Sequence, residues 1–115
     1  MIEQGERLEM KAALIVLLSG FLVTAGIAIA ASPQSAADHG RDVYAVQKCA
    51  LCHSIAGIGG KKLALDGIGS RMKTEDMRKW IRTPKDMKPG TTMKPYPNLP
   101  EKDLSDLIAF LLSLR

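Results

Sequence analysis

The chain has 115 residues, two of them cysteine, with 4% aromatic residues and a formal net charge of +4. That length allows one small domain, and two cysteines exclude a disulfide framework. So little aromatic mass makes a thin core, and a domain of this size usually condenses around a staple, a metal or a cofactor.

Residues 12–31 read "AALIVLLSGFLVTAGIAIAA", twenty residues without a charge. The stretch is long enough to span a bilayer as a helix. Its Leu-rich centre followed by small residues also fits a secretory signal peptide, with small-x-small cleavage sites at Ala28 to Ala30 and at Ser35 to Ala37. Glu3, Glu6 and Glu9 suit neither a signal start nor its positive flank, whereas Met10-Lys11 does, so translation is expected to begin at Met10. Residues 1–37 are therefore expected to be a signal peptide or membrane anchor, followed by a domain over 38–115. Either alternative puts that domain outside the cytoplasm, in the periplasm, free or held at the outer face of the inner membrane through residues 12–31.

Three helices are predicted in the domain, and no run alternates apolar and polar residues long enough to predict a strand. The first spans roughly Asp38 to Ala50, with Asp38 as its cap and Gly40 offering a close approach to another helix. The loop "SIAGIGGKKLALDGIGSR" carries five glycines and is expected to lack a regular element through its middle. A second helix starts at Thr74, its expected cap, puts Met77, Trp80 and Ile81 on one face, and stops before Pro84. Five prolines between Pro84 and Pro100 exclude helix and ordinary strand there. The last helix runs from about Pro100 to Leu114, with Leu104, Leu107, Ile108 and Leu111 at i, i+3, i+4 and i+7.

The first helix leads into "QKCALCHSI", from Gln47 to Ile55. Three chemistries use such letters. A zinc site needs four ligands, yet only Cys49, Cys52, His53 and His39 offer sulfur or imidazole, and no second knuckle follows. A redox dithiol belongs at the start of a helix behind a strand, and this pair sits at the end of one. The third is C-x-x-C-H as a c-type haem attachment. Two sulfurs one short turn apart bond to two edge positions of the porphyrin, and the following imidazole faces the iron. The haem also supplies the apolar body that the chain lacks, and it is the preferred reading.

With that motif, "GRDVYAVQKCALCHSIAG", "LDGIGSRMKTEDMRKWIRTP", "KPGTTMKPYP" and "LSDLIAFLLSL" together resemble class I cytochrome c, the small monohaem type, across Asp38 to Arg115. The resemblance implies an all-α cytochrome c fold, with three main helices around one covalently attached haem c. It implies that the first and last helices cross, Gly40 and Tyr44 packing against Phe110. It implies that the Met of "PGTTM" is the second axial ligand, and that Trp80, otherwise core packing, offers its N–H to a haem propionate. Three departures stand out. Leu63 occupies the position whose proline carbonyl receives the proximal histidine N–H. Pro100 replaces the usual Ser or Asp cap. Lys94 separates Met93 from Pro95.

The site residues are then Cys49 and Cys52 as tethers and His53 and Met93 as iron ligands. Met87, in the same Pro-rich segment, is the alternative sixth ligand, while Met72 and Met77 are assigned to packing. Tyr96 is expected to line the loop beside the haem, and His39 to be a solvent-exposed residue. From Asp38 onward fourteen Lys and Arg face nine Asp and Glu, a net of +5. Lys85, Lys88 and Lys94 fall in the loop assigned to the haem face, and Lys61 and Lys62 in the loop opposite. Such a surface either steers an acidic redox partner or simply keeps the domain solvated. Without aromatic interleaving it gives no support to nucleic-acid binding. The expected function is single-electron transfer between redox proteins rather than catalysis. The alternatives are a haem protein with a labile sixth ligand, peroxidatic or gas-binding, and a cytochrome subunit of an oxidoreductase complex.

Overall fold

A computed structural model describes residues 30 and 32–115. The expected start at Met10 and all of the hydrophobic stretch 12–31 except Ala30 lie outside these residues. Among the described residues no helix is long and apolar enough to cross a membrane.

Helix α1 covers Pro33–Val46. It starts five residues before the expected Asp38, because Ser32 is the cap: its side chain accepts from the Ser35 backbone N–H at 3.3 Å, and Pro33 takes the first helical position. It also ends earlier than the expected Ala50. Lys48 turns left-handed, with φ of 58°, and a 3-10 turn follows over Cys49–Leu51. Three short strands come next: β1 (His53–Ile55), β2 (Ile58–Gly59) and β3 (Leu63–Ala64). They form a sheet in the order β2-β1-β3, antiparallel on one side of β1 and parallel on the other. The expectation of an all-α domain without strands is corrected to this extent. Strands of two or three residues are too short to show an alternating pattern.

One helical turn, α2 (Ile68–Arg71), leads to α3 (Thr74–Arg82). Thr74 starts α3 as expected but is not its cap; Lys73 holds that place without a side-chain bond, and Glu75 and Asp76 supply the negative charge favoured at a helix start. The Pro-rich segment is not wholly irregular either. Pro84–Met87 forms a helical turn, α4, because proline's fixed φ suits a first helical position. Helix α5 covers Glu101–Ser113, with Pro100 at the cap position and no side-chain cap bond. Glu101 joins α5 to α3 instead, paired with Arg78 and Arg82, and the Arg78 guanidinium first of all holds its carboxyl below the usual range.

The core lies where α1 and α5 cross. Leu104 is fully buried, and Leu107, Ile108, Phe110 and Leu111 bury the same face of α5 against Val43, Tyr44, Met77 and Ile81. Gly40 sits at the crossing point, where a Cβ would lie 1.9 Å from the Asp106 carbonyl oxygen. Tyr44 meets Phe110 edge to face, with centroids 5.7 Å apart. His39, expected to be exposed, is half-buried and bonds Asp106 through Nδ1 at 2.7 Å. Lys102 pairs with the same carboxylate, and these two bonds, Lys102 first, hold Asp106 below the usual carboxylate range. A histidine facing a carboxylate 67 positions away leaves no local sequence pattern.

The β1–β2 hairpin turns through Ala56 and Gly57, with φ of 50° and 77°. Two left-handed residues between paired strands make the type I′ turn that prefers Asn-Gly. Alanine at the first of them is strained by about 1 kcal/mol. Replacing Ala56 by Asn is expected to raise the thermal midpoint by roughly 4–8 °C. An unchanged or lower midpoint in a calorimetric scan removes the strain account.

Candidate functional site

The motif begins where α1 stops. Leaving the helix at Lys48 turns the chain into the 3-10 geometry, in which side chains at i and i+3 eclipse. Cys49 and Cys52 are such a pair, joined by a Cys52 N–H to Cys49 carbonyl bond of 3.2 Å. Two glycines let the following loop fold against the motif. A Cβ on Gly60 would lie 2.3 Å from the Leu51 carbonyl oxygen, and one on Gly59 would lie 2.2 Å from that of His53. Burial pushes the Cys49 thiol up, the opposite of an activated dithiol.

His53 opens β1 and pairs in register with Leu63 of β3. Its Nδ1 lies 3.2 Å from the Leu63 carbonyl oxygen. A bond there fixes the tautomer with the proton on Nδ1 and leaves the Nε2 lone pair free to ligate a metal. The carbonyl at the position where Leu63 replaces proline is therefore in place, held by strand pairing rather than by a proline ring. The Tyr44 hydroxyl donates to the His53 carbonyl at 3.4 Å.

Cys49, Cys52, His53 and Met93 all line one cavity of about 450 Å³. Its volume falls in the roughly 300–1,000 Å³ range of ligand sites. The walls are mainly apolar, contributed by Leu65, Ile68, Met72, Met77, Leu107 and Leu111, with Trp80 and Tyr96 half-buried among them. Met72 and Met77 join the core cluster as expected of packing residues and also face the cavity. Met87 lies on α4 and is not in the cavity wall. His39 is on the α1–α5 side, bonded to Asp106, and does not line it. Among the described residues no three His, Cys, Asp or Glu side chains gather as a metal site. Two thiols, one imidazole with a directed nitrogen and three thioethers, of which Met93 alone lies in the Pro-rich segment, on an apolar cavity fit a c-type haem.

The Met93 segment is tied at several points. Its own backbone N–H bonds Thr91 Oγ1 at 3.2 Å. Lys62 Nζ donates to Thr92 Oγ1 at 3.2 Å, both residues lining the cavity. Beyond it, the Tyr96 N–H donates to the Ile81 carbonyl at 2.9 Å, and Arg82 donates to the Tyr96 and Pro97 carbonyls at 3.2 and 2.8 Å. The Tyr96 hydroxyl donates to the Gln47 carbonyl at 3.1 Å. Burial pushes that phenol up, so it keeps its proton at neutral pH. Tyr96 is legible in the sequence, whereas Gln47 acts through a backbone carbonyl that no side-chain pattern marks.

Lys62, Lys88 and Lys94 also line the cavity, whereas Lys61 and Lys85 do not. Among the described residues the large apolar side chains left most exposed are Val46, Leu51, Ile58 and Leu63. All four fall within residues 46–64, around the cysteine motif.

A family model described as Cytochrome c matches residues 37–115. Cytochrome c oxidase subunit 2 of Alkalihalophilus pseudofirmus is 33% identical over 91 residues, covering 71% of this chain and 27% of that protein. The chain thus spans about a quarter of that relative's length. No solved structure matches the chain. The family match covers every residue that lines the cavity, and this chain belongs to the cytochrome c family of haem-binding electron carriers.

Proposed function

We propose that the domain is an exported single-electron carrier with one covalently attached haem c and His/Met axial ligation. The observation that carries this reading is the convergence of Cys49, Cys52, His53 and Met93 on one apolar cavity. A bound haem supplies a one-electron couple, its iron passing between ferric and ferrous. Cys49 and Cys52 hold it by two thioether links. His53 offers Nε2, oriented by the Leu63 carbonyl, and Met93 offers a soft sulfur that favours the reduced state. The apolar walls exclude water, and the protein is proposed to pass electrons without transforming a substrate of its own. Export is inferred from the residues before the domain.

Docking is assigned to the face around the motif, where Val46, Leu51, Ile58 and Leu63 are exposed beside Lys48, Lys61 and Lys62. An apolar centre with basic neighbours suits a transient acidic redox partner. Electron transfer to such a partner is expected to slow severalfold between low and physiological ionic strength, as the Debye length shortens to about 8 Å. A flat salt profile in stopped-flow kinetics removes the steering.

A second reading is favoured by the relative's name. A domain like one found in an oxidase subunit suits service within an oxidoreductase complex. Both readings need a closed sixth position. Visible spectra of the oxidised and reduced protein, with a pyridine haemochrome, test the haem type. Carbon monoxide added to the reduced protein at neutral pH tests closure: exclusion fits a carrier, and rapid binding points to a ligand-binding or peroxidatic haem protein instead.

A further inference from the structure

We propose that the Tyr96 hydroxyl is the clasp that keeps the Met93 segment closed, so that Tyr96 is a positioning residue governing how fast outside ligands reach the sixth site. The proposal rests on Met93 as the sixth ligand. On the N-terminal side of Met93 the bonds are mostly local, from the Thr91 N–H to the Lys88 carbonyl and from the Met93 N–H to Thr91 Oγ1. The longer-range bond there, Lys62 to Thr92, joins two exposed side chains. Water competes for both partners, and its net contribution is small.

The C-terminal side differs. Tyr96 is fixed at its backbone by Ile81 and Arg82, both at the end of α3. From that base its half-buried ring reaches the end of α1, where the hydroxyl meets the Gln47 carbonyl. Gln47 is the C-terminal cap of α1. Carbonyls at a helix end lack helical partners and carry the negative end of the dipole, so this acceptor gains from an outside donor. Cys49 follows two residues later. One bond therefore joins the chain three residues past the distal ligand to the chain two residues before the first tether. The rest of the ring packs without the oxygen, so Tyr96→Phe removes the clasp and keeps the shape.

The test uses the full-length ferric holoprotein mixed with imidazole by stopped flow. If opening of the segment gates entry, the binding rate saturates at the opening rate. Tyr96→Phe is expected to raise that limit about three- to tenfold, the factor that a net neutral hydrogen bond supplies. The near-infrared band without imidazole remains, and amide exchange at Thr91 to Met93 quickens by a similar factor. A wild-type limiting rate in Tyr96→Phe overturns the clasp, even if the thermal midpoint falls, because the hydroxyl then serves stability alone. A wild-type protein lacking the near-infrared band removes Met93 as ligand. Amide exchange decides the clasp in that case: unchanged protection at Thr91 to Met93 overturns it, and quickened exchange supports it.

Discussion

Met93→Ala is expected to abolish the weak near-infrared iron–sulfur band and to lower the reduction potential by on the order of 0.1 V or more, within the about 0.8 V over which axial ligands move haem potentials. Loss of a soft sulfur donor removes the preference for the reduced state, so the sign is downward. The variant is also expected to bind carbon monoxide when reduced, because the truncated side chain leaves the sixth position without a donor. Folding is expected to survive. Met93 is half-buried at the edge of the core cluster, and the segment keeps its bonds through Tyr96 and Arg82. Spectra and potentiometry on the same preparation check all of this. An unchanged band moves the assignment to Met72 or Met77, which share the cavity wall, since Met87 lies outside it.

The parts of the site that were legible in the sequence are those whose chemistry is carried by side chains at fixed spacing. Cys49, Cys52 and His53 are three letters of one motif, and Met93 sits behind "PGTT" in a segment that prolines keep out of regular structure. The apolar stripe of the last helix gave its buried face directly, from Leu104 to Leu111. What escaped was set by backbone atoms or by distant partners. The Leu63 carbonyl acts through a parallel pairing of β1 with β3, strands too short to announce themselves. The Gln47 carbonyl is an acceptor because α1 ends there, and that end was misplaced by four residues since Lys48 adopts a left-handed turn without being glycine. His39 looked solvated because Asp106 is on another helix. Only the His39 contact joins distant parts of the chain; the other two misses were set by local backbone geometry, a non-glycine left-handed turn and a pairing of very short strands ten residues apart.

Gly40 gives the sharpest test of the helix crossing, since two effects of opposite sign compete there. In an exposed helix interior, Gly→Ala stabilises by roughly 0.8–1.0 kcal/mol. At Gly40 the added Cβ would lie 1.9 Å from the Asp106 carbonyl oxygen and 2.8 Å from the Phe110 Cβ. The nearest of these is backbone within α5, so relief requires α1 and α5 to separate. Separation loosens the Tyr44–Phe110 contact and the burial of Val43. Overpacking of this kind costs typically 1–3 kcal/mol, and a clash with backbone belongs at or above the top of that range. The steric cost therefore wins, and Gly40→Ala is expected to destabilise by about 2 kcal/mol net, a fall in midpoint of roughly 10 °C. Gly90→Ala is the control: its Cβ meets nothing within 4 Å, and its midpoint should stay within about 2 °C of wild type. A stabilised Gly40→Ala protein means that the helices do not approach this closely. A loss in both variants points to backbone strain rather than to the crossing. The crossing also bears on the site, because α1 sets the position of Gln47 and Cys49 while α5 supplies Leu107 and Leu111 to the cavity wall. A shift of α1 in Gly40→Ala therefore moves the first tether relative to the Met93 segment, and the near-infrared band should weaken at temperatures where the helices are still folded.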